Sequence, residues 1–225
     1  MVAGPYADDR GDVEPRLADA ISAYAAGDAH LVDVQRALVS ARVLGVVVPG
    51  DDGTLSAVSI TGRDGRIATP VFSSVRTAAG WNPAARPFPI TGPDAARGAI
   101  DVGSAAVVLD ISGTVPIELQ GPLLLALSDG VEWCTTPSDP HLAAAVAAAL
   151  ADVPDLEHVE LGASPSAGLL ITVVVAGVSG ERSNLAPEVA LAAVADRIQA
   201  VLRAAGFPDP LLPAGMDLAI VGSNH

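Results

Sequence analysis

Apolar positions along the chain change their period often, and the changes mark out the elements. Leu17, Ile21 and Tyr24 fall at i, i+4 and i+7 between Pro15 and Gly27, which predicts an amphipathic helix opened by proline and stopped by glycine. Asp28 is placed to cap a second helix whose stripe is Leu31, Val34, Leu38 and Ala41. The period then drops to that of strands. Residues 43–48 are β-branched and end at the turn cluster Pro49-Gly50-Asp51-Asp52-Gly53. Residues 55–61 and 66–72 flank Gly62-Arg63-Asp64-Gly65 and read as a hairpin, with Ile67, Thr69 and Val71 sharing one face. Ser73-Ser74 is placed to cap a short helical turn towards Trp81, and a loop holding Pro83, Pro87 and Pro89 follows. Thr91-Gly92-Pro93-Asp94 opens a helix to about Ile100, residues 105–110 form an apolar strand, and residues 117–127 read as a helix ending at Asp129-Gly130.

The second half repeats the alternation once. Residues 135–139 read as a linker, and Ser138 or Asp139 can cap a helix with Leu142, Val146 and Leu150 as its stripe and Pro154 as its stop. Residues 156–161 and 169–176 are strands joined by Gly162-Ala163-Ser164-Pro165-Ser166. A polar loop at 179–184 leads to a helix that Pro187 opens and Gly206 ends. Its buried stripe is Leu191, Val194, Ile198 and Val201, and its wet face is Asp196, Gln199 and Arg203. Residues 216–221 give a last strand. The expected fold is therefore α+β, with two small mixed α/β domains, the second reading α-β-β-α-β. The expected bounds are a disordered tail at 1–14, an N-terminal domain at 15–134, a linker at 135–139 and a C-terminal domain at 140–225.

Composition narrows the function classes. Half of the 225 residues are hydrophobic and only 3% are aromatic, so the cores must be built from small aliphatic side chains. The longest apolar runs, at 142–151 and 168–177, fall well short of the ~20 residues that span a bilayer. Asp8, Asp9, Asp12 and Glu14 stand where an export signal would carry a basic region, so no membrane or export role is expected. All 12 basic residues are Arg. Without Lys there is no P-loop lysine, no Schiff base and no lysine general base. Abundant Ala, Gly and Pro with no Lys is the composition of a chain from a GC-rich bacterium. The net charge of −14 repels phosphate and anionic lipid, so no nucleic-acid partner is expected either. A single cysteine, Cys134, offers no disulfide and no ligand pair; it reads as a small buried hydrophobe in a reducing, cytoplasmic compartment.

Candidate chemistry is sparse. His30, His141, His158 and His225 lie in separate elements, and no pair has the spacing of a helical metal site. His158 and Glu160 share the outer face of one strand and read as solvated; Asp51-Asp52 and Asp139-Pro140 read as turn and cap. No metal or cofactor is expected. The stretch from Phe72 through Ser73 and Ser74 to Trp81 carries two readings. In one, the aromatics fill core and the serines cap a helix. In the other, strand-end hydroxyls and N–H groups face a ligand or partner, with Trp81 as an apolar wall or anchor.

Several stretches together resemble one family. They are RALVSARVLGVVVP at 36–49, DGRIATPVFSS at 64–74 with Trp81 beyond it, and AAVVLD at 105–110. In the second half they are LEHVELG at 156–162, LLITVVV at 169–175 and MDLAIV at 216–221. The chain resembles the SseB ("enhanced serine sensitivity") family, in its actinobacterial type, across both the N-terminal and the C-terminal family domain. The sequence departs from the family where Phe72-Ser73-Ser74 replaces a common Phe-Thr-Ser, and where Leu109-Asp110-Ile111-Ser112-Gly113 lacks a common Asn-Pro. The family name records a phenotype and no reaction. The resemblance implies a non-catalytic cytoplasmic binding or regulatory module with a protein partner, and Phe72, Ser73, Ser74 and Trp81 are the candidate surface. The alternative it leaves is an enzyme of amino-acid (serine) metabolism that uses Ser, Asp or Arg in an unrecognised site.

Overall fold

A computed structural model describes Tyr6 and residues 9–50, 54–176 and 187–223. The chain divides into two compact units, Met1–Trp133 and Cys134–His225. The first opens with helices α1 (Pro15–Ala26) and α2 (Leu31–Ser40). Pro15 starts α1 as its pattern requires, and Gly27 ends it in the left-handed conformation at φ 80°. Asp28 does not cap α2. Its N–H is spent on Ala23 O in closing α1, and the cap shifts to His30, whose N–H donates to the Asp33 carboxylate at 2.9 Å.

The chain then runs β1 (Arg42–Pro49), β2 (Leu55–Ala57), β3 (Ile60–Thr61), β4 (Ile67–Val71), α3 (Val75–Trp81), β5 (Arg86–Thr91), α4 (Gly92–Asp101), β6 (Ala106–Leu109), β7 (Ile117–Gln120) and α5 (Gly121–Ser128). These strands make two sheets, β2-β1-β5 and β3-β4-β6-β7. Leu44 and Phe72 exchange both backbone hydrogen bonds, at 2.8 and 2.9 Å, and so join β1 to the end of β4. One face of this layer packs beneath α1, α2, α4 and α5 around Leu17, Leu38, Val43, Val71, Leu109 and Leu127. On the other face Leu44, Val46, Phe72 and Ala78 form a smaller core with Trp81.

Three expectations need correction. The strand expected at 55–61 is two strands. β2 pairs with β1 while β3 pairs with β4, so the hairpin around 62–65 is real but only two residues deep on its first side. The proline-rich loop contains β5. Leu44 lies opposite Pro89 and Val46 opposite Pro87, and the polar groups of Leu44 already face Phe72 across the other side of β1. The two missing N–H groups therefore fall on the open side of an edge strand, where proline is tolerated. The helix expected at 117–127 is β7 followed by α5. Ile117 and Leu119 are buried and Glu118 and Gln120 exposed, a period of two, and Gly121 at φ 53° turns the chain before Pro122 starts α5.

The second unit runs α6 (Pro140–Leu150), β8 (Leu156–Gly162), β9 (Leu169–Ala176), α7 (Pro187–Ala204) and β10 (Met216–Ser223), the expected α-β-β-α-β order. Asp139 caps α6 by accepting the Leu142 N–H at 2.9 Å. The sheet order is β10-β9-β8, with β8 antiparallel and β10 parallel to β9. Leu169, Ile171, Val173 and Val175 are fully buried together with Leu142, Val146 and Leu150 of α6. Among the described side chains of α7, Ile198 and Leu202 are fully buried, and Leu191, Val194 and Val201 are half-buried. Asp51-Asp52, the loop at 179–184 and His225 lie outside the described residues.

Helix α4 approaches α2 so closely that glycine is required at its first position. A Cβ on Gly92 would stand 2.1 Å from Leu38 O, whereas one on Gly98 would meet nothing within 4 Å. Gly92→Ala is therefore expected to destabilise the first unit by about 1–3 kcal/mol. Gly98→Ala, on the same helix, is expected to stabilise it by roughly 0.5–1 kcal/mol. Denaturant unfolding of the two variants checks both signs.

Candidate functional site

The stretch from Phe72 to Trp81 crosses from the end of β4 into α3. Phe72 is fully buried, and Trp81 lies half-buried against it with ring centroids 5.6 Å apart. Ser74 caps α3, its hydroxyl accepting the Thr77 N–H at 3.2 Å. Ser73 is buried as well, and its groups are spent on Asp110. The Ser73 N–H donates to Oδ1 at 2.8 Å and the hydroxyl to Oδ2 at 2.6 Å. Asp110 itself sits at φ 51°, a conformation that Asp tolerates better than most residues. Of the four candidate residues, three thus face inward, and Trp81 alone keeps an exposed part. The core-and-cap reading describes Phe72, Ser73 and Ser74.

Ser73 is one end of a buried polar network that extends to the N-terminus. Its carbonyl accepts a hydrogen bond from Arg42 Nη1 at 3.1 Å. The Arg42 side chain is 6% exposed and pairs with Asp9, Nε to Oδ2 at 2.8 Å and Nη2 to Oδ1 at 3.1 Å. Nη2 also donates to Asp12 O, and the Arg42 N–H donates to the Glu14 carboxylate at 3.0 Å. Nearby, the Val75 N–H donates to Gly11 O at 2.8 Å. The segment expected as part of a disordered tail is thus tied down from Asp9 to Glu14. A short, doubly bonded guanidinium–carboxylate pair is the strongest polar contact a protein makes. Here it fastens the N-terminal segment across the start of β1 and the β4–α3 junction.

The Ser73–Asp110 pair has the donors of a nucleophile and its partner, but the carboxylate already holds the hydroxyl in the core. A nucleophile needs access and a proton acceptor left free for the reaction. This pair has neither, and its geometry is that of a structural clamp.

Residues 17–126 match the family model of the SseB protein N-terminal domain. That stretch is an SseB-family N-terminal domain. Comparison with curated proteins finds no match. The SseB domain so matched contains Arg42, Ser73 and Asp110, while Asp9 lies before it and Trp133 after it. Trp133 is nevertheless buried in the same unit, where its N–H donates to Gln35 Oε1 at 2.9 Å and Gln35 Nε2 donates to Val131 O at 2.8 Å.

His158 and Glu160 stand 3.5 Å apart on the open face of β8, 54% and 71% exposed, as a solvated pair. Cys134 is half-buried and not fully buried as expected. The large neighbour Trp133 takes the core position, leaving the thiol 3.3 Å from the Thr136 hydroxyl. Among the described residues no three His, Cys, Asp or Glu side chains gather as a metal site. Nor is any described helix long and apolar enough to cross a membrane. In the second unit the Ser164 and Ser166 hydroxyls both donate to Asp217 and hold its carboxyl below the usual range.

Two predictions follow from this geometry. Asp9→Ala strands the Arg42 charge in the core and is expected to cost roughly 3–5 kcal/mol. Arg42→Met combined with Asp9→Ala removes the charge as well, and chemical denaturation should show it losing less than Asp9→Ala alone. The two serine hydroxyls hold the Asp217 carboxyl below its ordinary value of 3.8, so its contribution is present above that pH and is lost as pH falls through the lower folded value. The stability gap between wild type and Asp217→Asn is thus expected at neutral pH and should close in acid below about pH 4. Urea titrations at pH 7 and pH 3 measure it.

Proposed function

We propose that this chain is a non-catalytic cytoplasmic binding or regulatory module that acts through protein contacts, with Trp81 as its anchor. The supporting observation is that the densest polar cluster of the first unit is consumed internally. Asp110 holds both donors of Ser73, Asp9 holds Arg42, and the result immobilises the short helix that ends at Trp81. A rigid, half-exposed aromatic on a braced element loses little entropy when a partner covers it, which is the property of an interface anchor. The net charge of −14 favours a partner other than nucleic acid, and the lone cysteine suits a reducing compartment. We also read the second unit as the family's C-terminal domain, on the stretches LEHVELG, LLITVVV and MDLAIV.

Substitution of the anchor separates packing from binding. Trp81→Ala removes a ring that is only half-buried, so a stability loss of about 1–3 kcal/mol and a retained fold are expected. Proteins that immobilised wild-type chain holds from its host extract should be lost with Trp81→Ala and kept with Val102→Ala, which truncates an apolar side chain 64% exposed on another element. Equal retention by wild type and Trp81→Ala would sink this reading.

A further inference from the structure

The chain protects its sheet edges unevenly. β5 is blunted by Pro87 and Pro89 and begins at Arg86. β2 is three residues long and β3 two, while the four-residue β7 carries Glu118, which faces Arg66 at 3.3 Å. β8 carries Glu157, His158 and Glu160, and its register shifts between Leu156 and His158. Short strands, prolines, charges and bulges are the devices that keep edges from pairing. The last strand of the sheet, β10, has no proline and no bulge, and it carries a single charge. It is eight residues long and pairs in unbroken register with β9. Its one charged residue, Asp217, is held by Ser164 and Ser166. Among the described residues β9 is its only strand neighbour. In a parallel pair only alternate N–H and C=O groups face the neighbour, so the remaining half of the β10 backbone points outward.

The helix-covered face beside this edge is also unfinished. Leu218 and Ile220 are paired with Ile171 and Val173, which are fully buried, yet they remain half-buried themselves. Leu191, Val194 and Val201 of α7 are half-buried too. On the opposite face Val221 is 48% exposed.

We propose that β10 is a self-association edge. Two copies pair β10 against β10 in antiparallel fashion and join their three-stranded sheets into one of six. A two-fold axis through such a pair makes the contact self-complementary, as closed dimers require. Like-charge repulsion opposes contact between copies that each carry −14, and β10 itself contributes one acid, Asp217, to that repulsion. Strand pairing over eight residues alone falls short of the roughly 1,200 Å² that a stable interface buries. The half-buried faces of α7 and of β10 at Leu218 and Ile220 supply the remainder.

Light scattering on the full chain across a concentration series tests this. The expected mass is twice the 22.5 kDa of one chain, falling to 22.5 kDa on dilution. Every second amide of 216–223 should lose hydrogen-exchange protection in the same range. Ala219→Glu with Val221→Glu adds two negative charges per edge in any register and should give a folded monomer, with dimer affinity weakened at least tenfold. Val221→Thr should remain dimeric. Should the double variant fail to fold, Val221→Glu alone decides, because that side chain is already exposed. A wild type that stays at 22.5 kDa throughout overturns the proposal. So does a dimer that survives the Glu substitutions, or exchange protection that moves with dilution elsewhere and not at 216–223.

Discussion

A guanidinium has no neutral form at ordinary pH, so burying one obliges the surrounding chain to arrange itself around the charge. Arg42 imposes that obligation on the first unit. Its position at the start of β1 places the charge where two other segments meet, and each supplies acceptors: Asp9 and Asp12 from the N-terminal segment, Ser73 O from the β4–α3 junction. Ser73 is then held from its other side by Asp110 at the end of β6. The ends of three strands are thus fixed relative to one another by one charge and the two carboxylates around it. Because β1 also exchanges hydrogen bonds with Phe72, this polar lock and the apolar contact of Phe72 with Trp81 are consecutive along the backbone. Loss of the lock would loosen the aromatic pair next.

The SseB match covers 17–126, but the unit is physically larger. Asp9 stabilises it from before that range, and Trp133 closes it from beyond, its backbone N–H donating to Gln35 Oε1 while Gln35 Nε2 donates to Val131 O. A piece cut to the matched range would expose the Arg42 charge and empty the Trp133 site together. The stable body is the one in which both are filled, and this has direct bearing on where a fragment of this chain can be cut.

Local punctuation was legible, and pairing was not. Pro15, Gly27, Thr91, Asp139 and Ser74 act where their chemistry places them, because caps and stops depend on neighbours a few residues away. The division of residues 55–61 between two sheets, and the entry of Pro87 and Pro89 into β5, depend on which strand lies alongside. No local pattern carries that information. The surroundings of the candidate residues were not legible for the same reason. Phe72, Ser73, Ser74 and Trp81 were marked for attention by composition, but the partners that decide their roles are 31 and 37 residues away in Arg42 and Asp110. An arginine opening an otherwise apolar strand, and an aspartate ending another, were the available signals; each is ambiguous until the strands are adjacent.

The two units stabilise their sheets by different means. In the first, edges are spoiled by proline, shortness and charge, and the layer is closed over by four helices on one face. In the second, a three-stranded sheet carries two helices among the described residues, and a domain of that size has little core to spare. Of its two edge strands, β10 is the more apolar and the less protected. That combination costs stability in an isolated copy, since half-buried Leu218 and Ile220 gain only part of the free energy their burial could provide. A sheet extended across a two-fold axis would recover the rest with residues already present. The acidic surface elsewhere works against the same contact through water, and its reach is about 8 Å at physiological salt. Association through β10 is therefore a balance between a short-range apolar and hydrogen-bonded gain and a longer-range repulsion that salt weakens. That this strand carries only one charge, Asp217, is what makes such a balance possible.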